Sequence, residues 1–297
     1  MAVNEFFFGI IFAIIAAICF NLAPVFQKEA LNQMDFEVKF SNFFRSLLAM
    51  FTNKKWISGF LIGLLGGIPY IIAMDWAGLS VVQPVGNFGL IVLVIFGQKR
   101  LNEKLDTRGK IAIGLIIILP IFIGVSDVSN AQSDISDPST MLIVLIFTGI
   151  ILLIALGCFL LSKRNPIFLA GVVGIFFALG AYYMQAYTSM LAFSGYNIIT
   201  DIGTIMLNAF IDPNLIIANT FFMVLLIFNG LAGFTLQMGL QKVSASRFNP
   251  IQQTLNYFIA IIGGIIIFNQ IVGNWVFYSC GLICGLIGSV ILGRYQI

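Results

Sequence analysis

The chain has 297 residues, 60% of them hydrophobic and 9% charged, with a mean hydropathy of +1.03. Soluble domains carry about 25% charged residues, so this composition excludes one and makes the chain an integral membrane protein. The net charge of +3 is spread over basic residues scattered among loops, which also excludes a nucleic-acid-binding face.

Apolar runs of the length a bilayer requires, about 17 to 25 residues, recur ten times in chain order. They lie near 6–26, 36–53, 56–75, 80–97, 107–125, 139–161, 166–190, 213–238, 246–268 and 274–293. The first follows MAVNE, which has Glu5 and no base, so it reads as a helix and not as a signal peptide. Near its close, in FNLAPVFQKEAL, Asn21 stands beside Pro24, where a break in backbone bonding exposes a carbonyl. Asn21 is therefore either part of a kink or a substrate contact, and Lys28 and Glu29 read as the solvated end of the helix.

The second run, FEVKFSNFFRSLLAMFTN, is short and holds Lys39 and Arg45. It reads as a span, with an interfacial helix as the alternative. Arg45 then pairs with a carbonyl, snorkels, or meets an anionic substrate. The third run carries Gly59, Gly63 and Gly67 at a spacing that lets helices approach closely, and it ends on Asp75, a candidate for coupling a proton or cation. In the seventh run Tyr182, Tyr183 and Gln185 are either cavity residues or, for the tyrosines, interface anchors.

Two stretches match. SVVQPVGNF opens the fourth run and SRFNPIQQT the ninth, each with a serine four residues before a proline flanked by amides, Gln83 and Asn87 in one and Asn249 and Gln253 in the other. AMDWAGLSVVQPVGNF aligns with GLQKVSASRFNPIQQT without a gap, and Ser80 and Ser246 are placed to cap the helices. Residues four apart share a helix face, and Asn256 and Tyr257 continue the face of Gln253. Amides inside hydrocarbon need partners, so these faces either bond neighbouring helices or line a water-filled cavity.

Ten spans with a cytoplasmic N-terminus place Lys54, Lys55, the basic residues of 99–110, Lys163, Arg164, Lys242, Arg247 and Arg294 on the cytoplasmic side, with both termini there. The polar connection SDVSNAQSDISDPST has acids and no base, which predicts an extracytoplasmic linker over 129–138 between five-helix repeats at 1–128 and 139–297. Five is odd, so the second repeat is inverted, as in many secondary transporters whose substrate binds near the midplane. The expected architecture is all-α, with ten transmembrane helices in two inverted five-helix repeats, in a plasma or inner membrane.

FNLAPVFQKEAL, the tryptophan-led third run, AGLSVVQP, NEKL and the Gly109-Lys110 opening of the fifth run resemble the drug/metabolite transporter superfamily, with its EamA-like ten-helix fold. KKWISGFLIGLLGGIPYIIAMDWAGLSVVQPVG and NPIFLAGVVGIFFALGAYYMQAYTSM are similar to the branch that holds NIPA-type magnesium transporters. The chain departs from that branch in VVQPVGNF, where a Thr-Pro-Leu-Gly-like opening is usual, and in Gln185, near a usual lysine.

Chemistry of other classes is missing from the sequence. No GxxxxGK[ST] loop, no histidine and no metal-ligand cluster occur, so no ATP-driven pump, membrane hydrolase or cofactor is implied. Cys19, Cys158, Cys280 and Cys284 lie in apolar stretches and read as buried small residues. Gly281 and Gly285 leave open a homodimer through the fifth and tenth spans. The function expected is that of a secondary carrier for a small organic metabolite or amphipathic drug, embedded in lipid. Magnesium is the alternative substrate, and a non-transporting scaffold or receptor the alternative class.

Overall fold

Polar residues ahead of the apolar runs start the helices. In the computed structural model Asn53 accepts from the amides of Lys55 and Trp56, Asp106 from Gly109, Asp137 from Thr140 and Asp212 from Asn214. Each cap satisfies first-turn donors that have no partner inside the helix, a contribution of about 1 kcal/mol apiece. Pro138 and Pro213 follow two of these caps, where a missing amide breaks no bond. The structure describes residues 3–78, 81–82, 85–102, 106–126, 135, 137–198, 200–209 and 211–294.

Its helices are α1 (Val3–Leu31), α2 (Phe43–Thr52), α3 (Lys54–Ala77), α4 (Gly89–Leu101), α5 (Thr107–Val125), α6 (Pro138–Ser162), α7 (Phe168–Phe193), α8 (Ile202–Asn208), α9 (Pro213–Lys242), α10 (Ala245–Ile266) and α11 (Trp275–Arg294). Single 3-10 turns occupy Phe40–Asn42 and Gly86–Phe88. Among the described residues six helices, α1, α3, α5, α6, α7 and α9, are long and apolar enough to cross a membrane. The chain is an all-helical integral membrane protein.

The expected span over 36–53 is corrected. Only ten of its residues form a helix, α2, which at 1.5 Å per residue reaches about 15 Å, half of the roughly 30 Å hydrocarbon core. The preceding residues are diverted by a side chain: Asn42 accepts from the Lys39 amide at 2.8 Å and donates to the Glu37 carbonyl at 2.8 Å, competing with helical bonding. The chain therefore folds back. Glu29 in the last turn of α1 pairs with Lys55 in the first turn of α3 at 2.6 Å and with Arg100 in the last turn of α4 at 3.4 Å. These three helix ends lie at one end of the molecule.

Small residues set the packing. α1 and α3 run antiparallel in contact along their length, with Gly59 against the Ala23 carbonyl and the ring pairs Phe20–Tyr70 and Phe12–Trp76 at 5.6 and 5.7 Å. α7 and α9 form a second antiparallel pair, with Tyr187–Phe222 at 5.2 Å. α4 lies along α1 in parallel, and α10 lies along α7 in the same way. α5 and α11 make a third antiparallel pair, in which Gly281, Gly285 and Gly288 meet Leu119, Ile116 and the Ala112 carbonyl. Those glycines are thus occupied within one chain. α7 is the innermost helix: 83% of its apolar window is buried, against 22% for α6, which packs chiefly on α7.

Other expectations shift locally. Ser244, not Ser246, stands at the N-cap of α10, and Ser80 lies outside the described residues. The seven-residue α8 was not expected from the sequence. All four cysteines are free thiols, but Cys280 is exposed and the other three are half-buried, so the expected burial is incomplete. Asn102 and Asn269, just beyond α4 and α10, both take left-handed backbone at φ 54° and 50°, a conformation asparagine tolerates better than most residues. Most of the proposed 129–138 linker lies outside the described residues.

Candidate functional site

Two of the sequence candidates meet across the interior. Asn21, 1% exposed on α1, donates from Nδ2 to the Ala17 carbonyl at 2.9 Å and to the Gly86 carbonyl at 3.4 Å. Its Oδ1 is left to accept, and Gln253 of α10 donates to it from Nε2 at 2.6 Å. Because both Asn21 donor contacts are carbonyls, this chain of bonds fixes the orientation of both amides. The oxygen of Gln253 is thereby turned away from Asn21, and among the described residues it has no hydrogen-bond partner. Asn249, one turn earlier on α10 and 2% exposed, has an unpartnered Oδ1 as well.

A buried carbonyl oxygen without a donor costs about 1–3 kcal/mol, so two such acceptors on one helix face suit a ligand that donates hydrogen bonds or carries positive charge. Their depth fits a carrier site. Asn21 lies about 15 Å from the end of α1 and Gln253 about 12 Å from the start of α10 by the helical rise, close to the middle of a bilayer core of roughly 30 Å.

The remaining candidates are not all here. Gln83 and the side chain of Asn87 lie outside the described residues; the Asn87 backbone belongs to the Gly86–Phe88 turn whose first carbonyl holds Asn21. Asn256 is half-buried on α10. Tyr257 is buried, but its hydroxyl reaches α11 beside Gly285, which removes it from the Gln253 face where the sequence placed it. Tyr182 packs among Phe147, Tyr183 and Phe268, with rings 5.4–5.5 Å apart, and a Cβ on Gly263 of α10 would sit 3.1 Å from its ring. Level with Gly263, it lies about 15 Å along α10 from Gln253.

Gln185, fully buried one turn further on α7, contacts Ser189 at 3.4 Å and leaves Oε1 unpartnered. Asp75 is half-buried two residues from the end of α3, beside the Phe12 turn of α1 and about 13 Å along that helix from Asn21. Arg45 is exposed on α2 with its guanidinium 4.8 Å from the Phe36 ring, which corrects its placement deep in a span.

Sequence reasoning missed a polar seal at the end marked by Glu29, Lys55 and Arg100. Lys28 is not solvated; it is 8% exposed and its ammonium donates to the Leu240 carbonyl at 2.6 Å and the Val243 carbonyl at 2.8 Å, capping α9. Those carbonyls lack helical donors and carry the negative end of the helix dipole, which favours a cation there. Gln237 of α9 donates to Gln27 at 2.9 Å and accepts from the Trp56 indole at 3.1 Å. Gln241 accepts from the Val38 amide at 2.7 Å and donates to the Phe36 carbonyl at 3.2 Å. On the rim, Lys242 and Lys39 beside Glu37 hold its carboxyl below the usual range. The four-residue spacing of Gln237 and Gln241 near the end of an apolar run was the available signal.

The chain is 31% identical over 119 residues to a protein from Arabidopsis thaliana described as probable magnesium transporter NIPA9. The match covers 39% of this chain and 33% of that protein, so the chain spans about a third of the relative's length. No family model and no solved structure matches the chain. The similarity and the apolar helices together support a membrane transporter.

Proposed function

We propose that the chain is a secondary carrier of hydrated divalent cations, magnesium foremost. The observation that carries the substrate is the pair of amide oxygens on α10, Asn249 Oδ1 and Gln253 Oε1, held without donors near mid-membrane. Magnesium dehydrates reluctantly and keeps several waters; those waters donate to amide oxygens, so no deep carboxylate is required. The partial similarity to a probable magnesium transporter supports the same reading. A small organic solute is the second reading, favoured by the buried rings of Tyr182, Tyr183 and Tyr187 on α7. Uptake of Mg²⁺ into proteoliposomes tests the proposal against both the organic substrate and a non-transporting scaffold.

Gln253→Leu is expected to lower Mg²⁺ uptake per folded molecule several-fold, because one good hydrogen bond contributes about 0.5–1.5 kcal/mol. Unchanged uptake per folded molecule, with unfolding temperature followed on the same samples, would remove Gln253 from the site.

The architecture proposed with this function is an inverted repeat with boundaries different from those expected. Helices α1 to α5 correspond to α7 to α11, and α6 is the connecting helix. The correspondence is supported by equivalent packing: α1 on α3 and α4 in the first unit, α7 on α9 and α10 in the second. Pro84 and Pro250 lie 166 positions apart, and the left-handed Asn102 and Asn269 lie 167 apart, one residue off the same offset.

With α2 and α8 not crossing, the proposed crossings are nine, through α1, α3, the 85–101 segment, α5, α6, α7, α9, α10 and α11. All 14 described lysines and arginines then fall at one end, which the positive-inside rule makes cytoplasmic. The N-terminus is then outside and the C-terminus inside. Among the described residues the five acids Glu5, Asp75, Asp137, Asp201 and Asp212 fall at the opposite end, where they attract cations.

A thiol-labelling experiment separates the two topologies. Cysteines at Gln33 and Ser162 are expected to react with an impermeant reagent from the cytoplasmic side, and one at Ser133 from outside. Labelling of Gln33→Cys from the same side as Ser133→Cys would restore ten crossings.

A further inference from the structure

Short helix α2 exposes a face that nothing among the described residues covers. Phe44, Leu48 and Phe51, spaced to share one stripe, are 84%, 69% and 48% exposed, while Ser46 and Met50 on the other side are buried. Ring contacts hold the helix across three neighbours. Phe51 meets Trp56 of α3 at 4.9 Å, Phe43 meets Phe234 of α9 at 4.6 Å, and the preceding Phe40 meets Phe159 of α6 at 6.1 Å. By the helical rise those contacts lie roughly 3, 12 and 5 Å inside the basic ends of their helices. Amphipathic helices lie at about 5–10 Å, at the boundary between headgroups and acyl chains.

The charges beside this stripe are cations left over from pairing. Glu29 is taken by Lys55 and Arg100, and Glu37 by Lys39 and Lys242. Arg45, on the flank of the stripe, and Lys54, at the junction of α2 and α3, are exposed. Among the described residues neither has an acidic partner within 4 Å; Arg45 is steadied only by the Phe36 ring at 4.8 Å.

We propose that α2 is a docking surface for an anionic phospholipid, with Arg45 and Lys54 on the phosphate and an acyl chain along Phe44, Leu48 and Phe51. A free phosphate would use the cations and leave the apolar stripe bare; a zwitterionic lipid would cover the stripe and leave the cations half-satisfied. An anionic lipid satisfies both, and a fork-shaped guanidinium beside an ammonium suits its phosphate oxygens. The inference rests on the chain being membrane-embedded with its basic end at a lipid surface, and not on what it carries.

The test uses the full-length protein in detergent micelles titrated with phosphatidylglycerol or phosphatidylcholine, read by unfolding temperature and so independent of transport. Phosphatidylglycerol is expected to raise the unfolding temperature by several degrees more than phosphatidylcholine. In Arg45→Gln/Lys54→Gln the half-saturating phosphatidylglycerol concentration should rise about fivefold per cation removed, while inorganic phosphate has no effect on either protein.

Leu48→Trp supplies a direct readout: its added emission should be quenched more by brominated phosphatidylglycerol than by brominated phosphatidylcholine at equal mole fraction. Equal stabilisation of the native chain by the two lipids would overturn the proposal, as would an undiminished phosphatidylglycerol effect in the double variant. Emission from Leu48→Trp that ignores both lipids and changes with protein concentration would overturn it in favour of a second copy of the chain on this face.

Discussion

Lys28→Met is expected to lower the unfolding temperature and to open the interior to water from the basic end. The ammonium is the donor for two terminal carbonyls of α9, and charge-assisted bonds contribute about 1.5–3 kcal/mol each. Water enters at a helix end and replaces part of that, so the net loss is on the order of 2–4 kcal/mol. The same replacement would let such a seal open at little cost: with the helices together the ammonium and the carbonyls satisfy each other, and if α1 and α9 separated, water would solvate both.

Methionine preserves the bulk and removes the donor, so the closed state alone is weakened. Lys28→Arg keeps the charge and should retain most of the stability. A cysteine at Asn249, in a chain lacking the four native thiols, reports the opening: its reaction with a soluble thiol reagent applied at the basic end should rise several-fold in Lys28→Met and stay low in Lys28→Arg. Equal rates in the native, methionine and arginine chains, all verified as folded, would show that the Lys28 bonds are packing and do not gate the interior. The readout needs no substrate, so a chain that failed to transport Mg²⁺ would still decide the point.

The sequence exposed the solvent and the helices more clearly than the count of crossings. Runs of apolar residues mark α5 and α6 to within a residue at each end, because a membrane helix must satisfy its backbone internally and the bilayer fixes its length. Residues 36–53 misled because their composition suits a span while Asn42, by bonding Lys39 and Glu37, stops the helix from starting earlier. One polar side chain shortened the helix, and hydropathy averaged over a window does not register it.

The site was legible in part for a related reason. Asn21, Asn249 and Gln253 stood out as amides in hydrocarbon, and two of them are hydrogen-bonded to each other from helices 232 positions apart. Tyr257 shares their periodicity but turns to α11, since a face about 100° wide touches more than one neighbour. Lys28 was misjudged because a lysine at a helix end is ordinarily solvated; only the position of α9, supplied by tertiary packing, shows which carbonyls it meets. The glycine pattern was legible as close packing at Gly59, Gly63, Gly281 and Gly285 but not at Gly67, which meets nothing within 4 Å, and its partners inside the chain were not legible.

Gly89→Ala and Gly67→Ala are expected to change stability in opposite directions, and the contrast tests how the amide site is assembled. Alanine is favoured over glycine in a helix by at most about 1 kcal/mol, and at Gly67 nothing lies within 4 Å of the added methyl. Gly67→Ala should therefore be neutral or slightly stabilising. At Gly89 the methyl would collide with Nδ2 of Asn21 and with the Ala17 carbonyl. The amide side chain can turn aside, but a helix carbonyl moves only if α1 and α4 separate, and overpacking of this kind costs about 1–3 kcal/mol. The helix-propensity gain does not cancel it.

Displacing Asn21 also loosens its bonds to Ala17, Gly86 and Gln253, which frees the Gln253 amide to rotate and no longer holds its oxygen toward the interior. Gly89→Ala should thus reduce both the unfolding temperature and the stabilisation by Mg²⁺, whereas Gly67→Ala leaves Mg²⁺ stabilisation intact. Thermal unfolding of the two variants, each with and without Mg²⁺, measures all four quantities. Gly89→Ala as stable as Gly67→Ala would mean that α4 does not press on Asn21. A Gly89→Ala protein that is destabilised yet keeps its full Mg²⁺ response would place the cation somewhere other than the Asn249–Gln253 face.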